Sequence, residues 1–187
     1  MRNALLGIAA FVVLGAIGAA AFLWSGVYPI GATTQHSRIV YDLVEVMVRR
    51  AVEESADQVV APARLDEEAR IRAGLAVYEG WCLQCHGAPG VAPAPFATGM
   101  NPPPPPLVQT AREWTPEEVF WVVDNGIAMA GMPSFRFKLT PDEMWAVTAF
   151  VETLPTLSPA AYAALVARSD AQGEAARSGS PARGGGT

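Results

Sequence analysis

The chain has 187 residues, of which 51% are hydrophobic, and it carries a net charge of −5 at pH 7. Its length suits one globular domain with additional segments. Lys138 is the only lysine. Because the net charge is negative and the chain has a single lysine, the composition excludes nucleic acid as the expected partner.

The first predicted element is a helix that spans a membrane. No residue from Ala4 to Trp24 is charged, and a helix of that length rises about 31 Å, which matches a hydrocarbon core of about 30 Å. The apolar run exceeds the roughly 7–15 residues of a cleavable signal. We therefore predict an uncleaved signal anchor over residues 1–27, although small residues at 18–21 leave cleavage open. Arg2, the only charge before the span, favours a cytoplasmic N-terminus with the remainder outside.

A juxtamembrane segment over residues 28–63 contains the second predicted helix, from 38 to about 55. Its charged residues recur every three or four positions and form one narrow stripe. The remaining surface is apolar over a wider arc than a solvated linker helix requires. Two interpretations stay open: the helix packs on the domain that follows, or it lies along the membrane surface or a partner subunit. The apolar positions are Ile39, Val40, Leu43, Val44, Met47, Val48 and Val52.

The domain that follows, over residues 64–168, is predicted to be all-α. Three acidic residues at 66–68 favour the start of a helix that continues to Cys82. Five prolines at 102–106 favour a stiff polyproline II loop. A short helix is predicted to end the domain, and the Gly-, Ser-, Ala- and Pro-rich residues 169–187 are predicted to form a disordered tail.

Two further helices within this domain are predicted from matching start signals. Thr115 begins the run Thr-Pro-Glu-Glu, and Thr140 begins the run Thr-Pro-Asp-Glu. Each run places threonine at the N-cap, proline at the first helical position and an acid at the third. The first helix is predicted to end at Asn125, before a glycine, and the second at Leu154, before a proline.

The run Cys82-Leu83-Gln84-Cys85-His86 is the motif that indicates function. Two cysteines three positions apart, followed directly by histidine, have the spacing at which a chain attaches haem c covalently. The thiols add to the two vinyl groups as thioethers, and the imidazole ligates the iron. Because the chain has no other cysteine, the motif predicts a single haem.

Three other uses of the two cysteines fit the sequence less well. A structural zinc site needs four Cys or His ligands, and the only other histidine is the distant His36. A thioredoxin-like dithiol belongs to a βαβ setting, whereas the residues before Cys82 favour a helix. A disulfide would close a small, strained loop and leave His86 without a role.

The iron face opposite His86 needs a second ligand or remains open, and methionine is the usual partner of histidine in electron-transfer cytochromes. Met144 falls inside a predicted helix, and Met100 has a surface or gap-filling role by default. Met132 lies between a glycine that permits close backbone approach and a proline that stiffens the loop. We predict Met132 as the ligand, with Met129 as the alternative.

Residues from about 65 to 157 resemble a class I cytochrome c domain, of the kind found in bacterial respiratory chains and in subunits of haem–copper oxidases. The order of elements carries the resemblance: a first helix, Cys-x-x-Cys-His, a proline-containing loop, a middle helix, a Gly-Met-Pro loop and a last helix. It implies the all-α cytochrome c fold, in which Gly74 and Tyr78 cross an aromatic of the last helix. Trp145 and Phe150 are available there. Four aromatic side chains are expected around the porphyrin: Trp81, Phe96, Trp121 and Phe135.

The resemblance implies a carrier of single electrons rather than an enzyme, with haem c attached to Cys82 and Cys85 and ligated by His86 and Met132. Such haem attachment takes place outside the bacterial cytoplasm, so we expect the domain on the periplasmic side of the inner membrane. The expected partners are redox proteins, above all membrane respiratory complexes. One alternative is an integral subunit of a larger membrane oxidoreductase. Another, which requires that no methionine binds, is a haem enzyme or gas sensor with an open iron site.

Overall fold

A computed structural model describes residues 2–35 and 37–178 of the chain. Within these ranges the chain forms helices, and it contains no β-strand beyond two isolated bridges. The prediction of an all-α fold is therefore confirmed. Contacts divide the chain into two units, the second of which begins at Ser37. The α-helices are α1 (Arg2–Ser25), α2 (Arg38–Ala56), α3 (Glu68–Trp81), α4 (Leu83–His86), α5 (Leu107–Glu113), α6 (Pro116–Asn125), α7 (Pro141–Thr153) and α8 (Pro159–Ser178), with 3₁₀ turns at Ala97–Gly99 and Leu154–Thr156.

The first unit contains α1, which is long and apolar enough to cross a membrane. Its 24 residues rise about 36 Å, more than the thickness of a hydrocarbon core of about 30 Å. None of its residues is buried within the protein. The helix ends before Gly26, whose positive φ of 65° is typical of a helix terminus. The predicted N-terminal apolar helix is confirmed.

The core of the second unit forms where α3 crosses α7. A Cβ built on Gly74 would lie 2.6 Å from the carbonyl carbon of Ala146 and 2.9 Å from the Cβ of Phe150, so only glycine permits this approach. One turn further along α3, the ring of Tyr78 packs on Phe150 with a centroid separation of 5.1 Å. Both rings are fully buried. The predicted crossing of Gly74 and Tyr78 with Phe150 is confirmed.

Trp145 faces α6 instead of α3. Its ring stacks on Phe120, with centroids 4.0 Å apart and an interplanar angle of 15°. Positions 145 and 150 are five apart on a helix of 3.6 residues per turn, so their side chains point in directions that differ by about 140°. They cannot both face α3, so of the two available aromatics Phe150 serves the crossing and Trp145 does not.

Two capping boxes fix the starts of α6 and α7. The hydroxyl of Thr115 accepts from the N–H of Glu118, and the Glu118 carboxylate accepts from the N–H of Thr115 at 2.8 Å. Thr140 and Glu143 repeat both hydrogen bonds at the start of α7. The two predicted helix starts are confirmed, and so is the predicted end of α6 at Asn125.

The C-terminal half of α2 packs on the rest of the second unit. Val52 and Ala56 are buried. Arg49 donates Nη2 to the carbonyl of Glu113 at 2.8 Å, and its guanidinium lies 5.2 Å from the ring centroid of Trp114. This half of α2 therefore packs on the domain that follows it, as one of the two interpretations required. Its N-terminal half keeps an exposed apolar surface.

The chain also departs from the predicted elements. The short helices α4 and α5 were not predicted, because each is too short to show a period in the sequence. The last helix, α8, continues to Ser178, beyond the predicted end near residue 168. Its alanine-rich sequence has high helix propensity, so residues 169–178, predicted to be disordered, are corrected to helix. Residues 179–187 and His36 lie outside the described part of the chain.

Candidate haem-attachment site

The cysteines and the histidine of the attachment motif lie on one helical turn at the end of α3. The N–H of Cys82 donates to the carbonyl of Tyr78 at 2.8 Å and caps α3. The N–H groups of Cys85 and His86 both donate to the carbonyl of Cys82, at 3.1 and 3.0 Å. Residues three apart on a helix are neighbours on its surface. Neither thiol forms a disulfide, with Cys82 buried and Cys85 partly buried, so the turn places two free thiols and an imidazole close together.

Tyr78 and Gly87 fix the turn that follows His86. The hydroxyl of Tyr78 donates to the carbonyl of Gly87 at 2.6 Å. Gly87 has a φ of 65°, and a Cβ built there would lie 2.6 Å from the carbonyl oxygen of Val91, so the position requires glycine. Burial raises the pKa of Tyr78 above its ordinary value, which keeps the hydroxyl protonated as a donor. The hydrogen bond thereby ties the motif to the core.

The imidazole of His86 is oriented by the proline-rich loop. Its Nδ1 lies 2.8 Å from the carbonyl oxygen of Pro105. A carbonyl can only accept, so Nδ1 carries the proton and Nε2 keeps a free lone pair. Burial lowers the pKa of His86, and the hydrogen bond to Pro105 opposes this with a smaller effect. The result is a neutral imidazole whose Nε2 can ligate a metal.

A cavity of about 360 Å³ lies beside His86. Its size falls within the range of about 300–1,000 Å³ that is typical of ligand sites. The cavity is apolar except for His86 and the hydroxyl of Tyr78. Its lining consists of Tyr78, His86, Ala88, Pro89, Val91, Pro93, Pro104, Pro106, Leu107 and Val108. Cys82, Cys85 and Met132 do not line this cavity, so the fit to haem c rests on the attachment motif itself, which places two free thiols beside a neutral imidazole.

The rival uses of the cysteines gain no support from the structure. Burial raises the pKa of Cys82 to about 12, whereas a dithiol of a thioredoxin-like protein needs a lowered thiol pKa. Among the described residues, no group of three or more His, Cys, Asp and Glu side chains could hold a metal ion. The buried Cys82 therefore presents no reactive thiolate, and neither cysteine belongs to a zinc site built from the described residues.

Met132 lies in the turn between α6 and α7. The N–H of Ile127 donates to the carbonyl of Met132 at 3.1 Å and closes the turn. Gly126 has a φ of 70°, and a Cβ there would lie 2.7 Å from the Met132 carbonyl oxygen. The side chain of Met132 is partly buried against the hydrophobic core to which Cys82 belongs. Met132 and Cys82 thus share one hydrophobic core.

The other methionines of the haem domain occupy different positions. Met129 is 99% exposed and adopts a positive φ of 64°, so its side chain points to solvent. Met144 is buried within α7, as expected of a core residue. Met100 is partly buried and its methyl group lies against Gly131, where an added Cβ would overlap it. That contact agrees with the gap-filling role expected for Met100.

Asp124 holds the segment after Met132 against α6. Its carboxylate accepts from Nε of Arg136 at 2.9 Å and also from Nη2 of the same side chain. Its backbone carbonyl accepts from the hydroxyl of Ser134 at 2.6 Å. The sequence analysis missed these residues, because Asp124 and Arg136 are twelve positions apart and belong to no recognisable motif. Pro105 was missed as well, since its role depends on a backbone carbonyl.

The aromatic residues expected around the porphyrin differ in burial. Phe135 is buried, and Trp81 packs edge-on against it with centroids 5.9 Å apart. Trp121 is partly buried. Trp81 and Phe96 each leave about half of their surface exposed, at 48% and 58%. The structure therefore brings Trp81 and Phe135 together at the end of α3.

Comparison with known proteins identifies the domain. Residues 69–151 match the family model described as cytochrome C oxidase, cbb3-type, subunit III. The match begins within α3, ends within α7 and includes both cysteines, His86 and Met132. No curated protein and no solved structure matches the chain significantly.

Proposed function

We propose that the chain is a membrane-anchored c-type cytochrome that carries single electrons between respiratory partners, because the family that residues 69–151 match implies haem-based electron transfer. In this proposal one haem c is attached to Cys82 and Cys85 and ligated by His86 and Met132. The observation that carries the proposal is the attachment motif, whose two thiols are free and whose imidazole is oriented by Pro105. Met132 packs against the same hydrophobic core as Cys82, which supports it as the second ligand. The domain by itself is a carrier rather than an enzyme.

Each residue of the site has one task in this function. The haem supplies the chemistry, since its iron gains and loses one electron. The carbonyl of Pro105 holds the proton on Nδ1 of His86, which leaves Nε2 free and would let it ligate the iron. Met132 would add a weak, soft sulfur ligand, which would favour the reduced state and raise the potential. Because Gly126 and Asp124 fix the turn around Met132, little reorganisation is needed when the charge changes.

The membrane-anchored location rests on α1, which is long and apolar enough to cross a membrane. Arg2 precedes the apolar stretch, and a basic N-terminal flank favours the cytoplasmic side for that end. The haem domain then lies on the periplasmic side of the bacterial inner membrane. Placement beside the membrane would keep the haem within reach of membrane-bound donors and acceptors.

A second candidate function is that of an integral haem subunit of a larger membrane oxidoreductase. The family description, which names a subunit of a cytochrome c oxidase, favours it. Gly15 and Ala19 also lie four residues apart on α1, a spacing that permits close helix packing in membranes. Gentle solubilisation and purification distinguish the two: a stoichiometric companion protein supports the subunit, and a lone chain supports the tethered carrier.

The ligand assignment is tested with two matched variants of the same loop. Met132→Ala removes the proposed ligand, so we expect a lowered reduction potential and binding of carbon monoxide to the reduced protein. Met129→Ala changes an exposed side chain and should alter neither. The opposite pattern would contradict the proposal. Attachment is tested by replacing both Cys82 and Cys85: haem that stays covalently bound to such a variant would contradict the thioether assignment.

A further inference from the structure

The N-terminal half of α2 presents a large apolar surface. Between positions 39 and 47 its apolar side chains are from 42% to 72% exposed. Apart from Asp42 and Glu45, this stretch contains no charged residue. The side chains of this surface, here called the α2 patch, are Ile39, Val40, Leu43, Val44, Val46 and Met47. A contiguous surface of this kind marks a site of interaction.

The α2 patch lies on the side of the helix opposite to its contact with the haem domain. At about 100° per residue, the patch covers a broad arc centred near Leu43. The residues that hold the haem domain, Arg49, Val52 and Ala56, fall on the other side of the helix. The haem domain therefore leaves the patch free, and α2 has two different faces for two different environments.

The free face changes from apolar to charged along the helix. Beyond Val48 the same side of α2 carries Arg50 and Glu54, both exposed. A soluble partner or a second copy of the chain that lay along the whole helix would meet these charges. The apolar part lies at the end nearer in sequence to α1, from which only residues 26–37 separate it. That link can extend at most about 40 Å, so it keeps the patch close to any membrane that contains α1.

We propose that the α2 patch lies in the lipid–water interface of the membrane that holds α1, an inference that rests on the membrane anchor of the proposed function. α2 contains three arginines and four carboxylates, so its charges nearly balance. Attraction to anionic headgroups is therefore not the driving force. The driving force is instead the burial of the apolar arc in lipid, so docking requires no anionic lipid. Docking would fix the height and tilt of the haem domain, because Arg49 and Val52 hold α2 to it.

The test uses the full-length holoprotein in phosphatidylcholine vesicles. Both native cysteines are consumed by the haem in that protein, so a single added cysteine can carry a fluorophore. Leu43→Cys places it on the patch, and Glu54→Cys places it on the same face three turns further along. Phe11→Cys reports on α1. Lipids with a quencher on the acyl chain should reduce the fluorescence of the Leu43→Cys and Phe11→Cys proteins and leave that of Glu54→Cys unchanged.

The outcomes separate this inference from the anchor on which it rests. Quenching of the Phe11→Cys protein without quenching of the Leu43→Cys protein leaves the anchor intact and overturns the docking. A Leu43→Cys fluorophore shielded from aqueous iodide yet unquenched by lipid also overturns it, since protein then covers the patch. No quenching of the Phe11→Cys protein overturns the anchor and this inference together.

Discussion

Replacement of Gly74 by alanine tests the crossing of α3 and α7, on which the position of the attachment motif depends. The added Cβ would lie 2.6 Å from the carbonyl carbon of Ala146 and 2.9 Å from the Cβ of Phe150. Ordinary contact begins near 3.4 Å. Because the carbonyl oxygen of Ala146 lies closer still to that Cβ, the two helices must separate by more than about 0.8 Å, and a gap of about 0.5–1 Å already forfeits roughly a quarter to a half of the dispersion energy of each contact that opens.

The expected loss of stability is at the upper end of the range for overpacked cores. Such substitutions cost about 1–3 kcal/mol, and here the obstacle is helix backbone, which cannot rotate away as a side chain can. We therefore expect about 3 kcal/mol. For a domain of this size, 1 kcal/mol corresponds to a shift in Tm of about 4 °C, so the Tm of Gly74→Ala should fall by about 12 °C.

Gly80 provides a matched control on the same helix. A Cβ built there meets nothing within 4 Å, so Gly80→Ala should stabilise the protein by about 0.4–1 kcal/mol, because alanine loses less conformational entropy on folding. Thermal unfolding of both holoproteins in detergent, followed by circular dichroism, measures the two effects. A Gly74→Ala protein with the Tm of the wild type would refute the close packing of α3 on α7.

Three further predictions concern hydrogen bonds around the site. Tyr78→Phe leaves the buried carbonyl of Gly87 without its donor and should lower the free energy of unfolding by about 1–3 kcal/mol; an unchanged urea midpoint would contradict this. Asp124→Asn removes the carboxylate that binds Arg136, so amide hydrogen exchange in residues 126–135 should become faster, and an unaltered rate would count against the role of Asp124. Hydrogen bonds from the backbone and hydroxyl of Thr140 hold the pKa of Glu143 below its ordinary value. The stability that these bonds confer is complete at a pH above the ordinary pKa, and it is lost as the pH falls through the lower pKa of the folded protein. Comparison of wild type with Glu143→Gln between pH 6 and about 3 should show a difference that disappears on acidification, and a constant difference would contradict the assignment.

Short, local signals allowed much of the fold to be predicted. The spacing of Cys82, Cys85 and His86 involves neighbouring residues of one helical turn, and each capping box involves residues three apart. Their geometry is therefore set by the local backbone and is visible in the sequence. The apolar run of α1 is equally local. In each case the residues that carry the signal are also the residues that form the structure.

Features that depend on tertiary contacts were not predictable in the same way. The acceptor for His86 is the backbone carbonyl of Pro105, nineteen positions away, and a backbone group leaves no trace in the side-chain pattern. Trp145 and Phe150 were both candidates for the crossing with the first helix, because the sequence shows that each is aromatic but not which neighbour it faces. Phe150 packs on Tyr78, and Trp145 stacks on Phe120. The end of α8 was placed too early, because the Ala-rich segment favours a helix where its composition suggested disorder.

The absorption spectrum of the membrane-purified protein tests the central claim most directly, recorded oxidised and reduced, with and without carbon monoxide. A haem attached to Cys82 and Cys85 and ligated by His86 and Met132 predicts a low-spin c-type spectrum. The oxidised protein should show the weak far-red band of sulfur-ligated iron, and the reduced protein should be unaffected by carbon monoxide. A spectrum that shifts with carbon monoxide would contradict the account, because it requires an iron face that no methionine occupies.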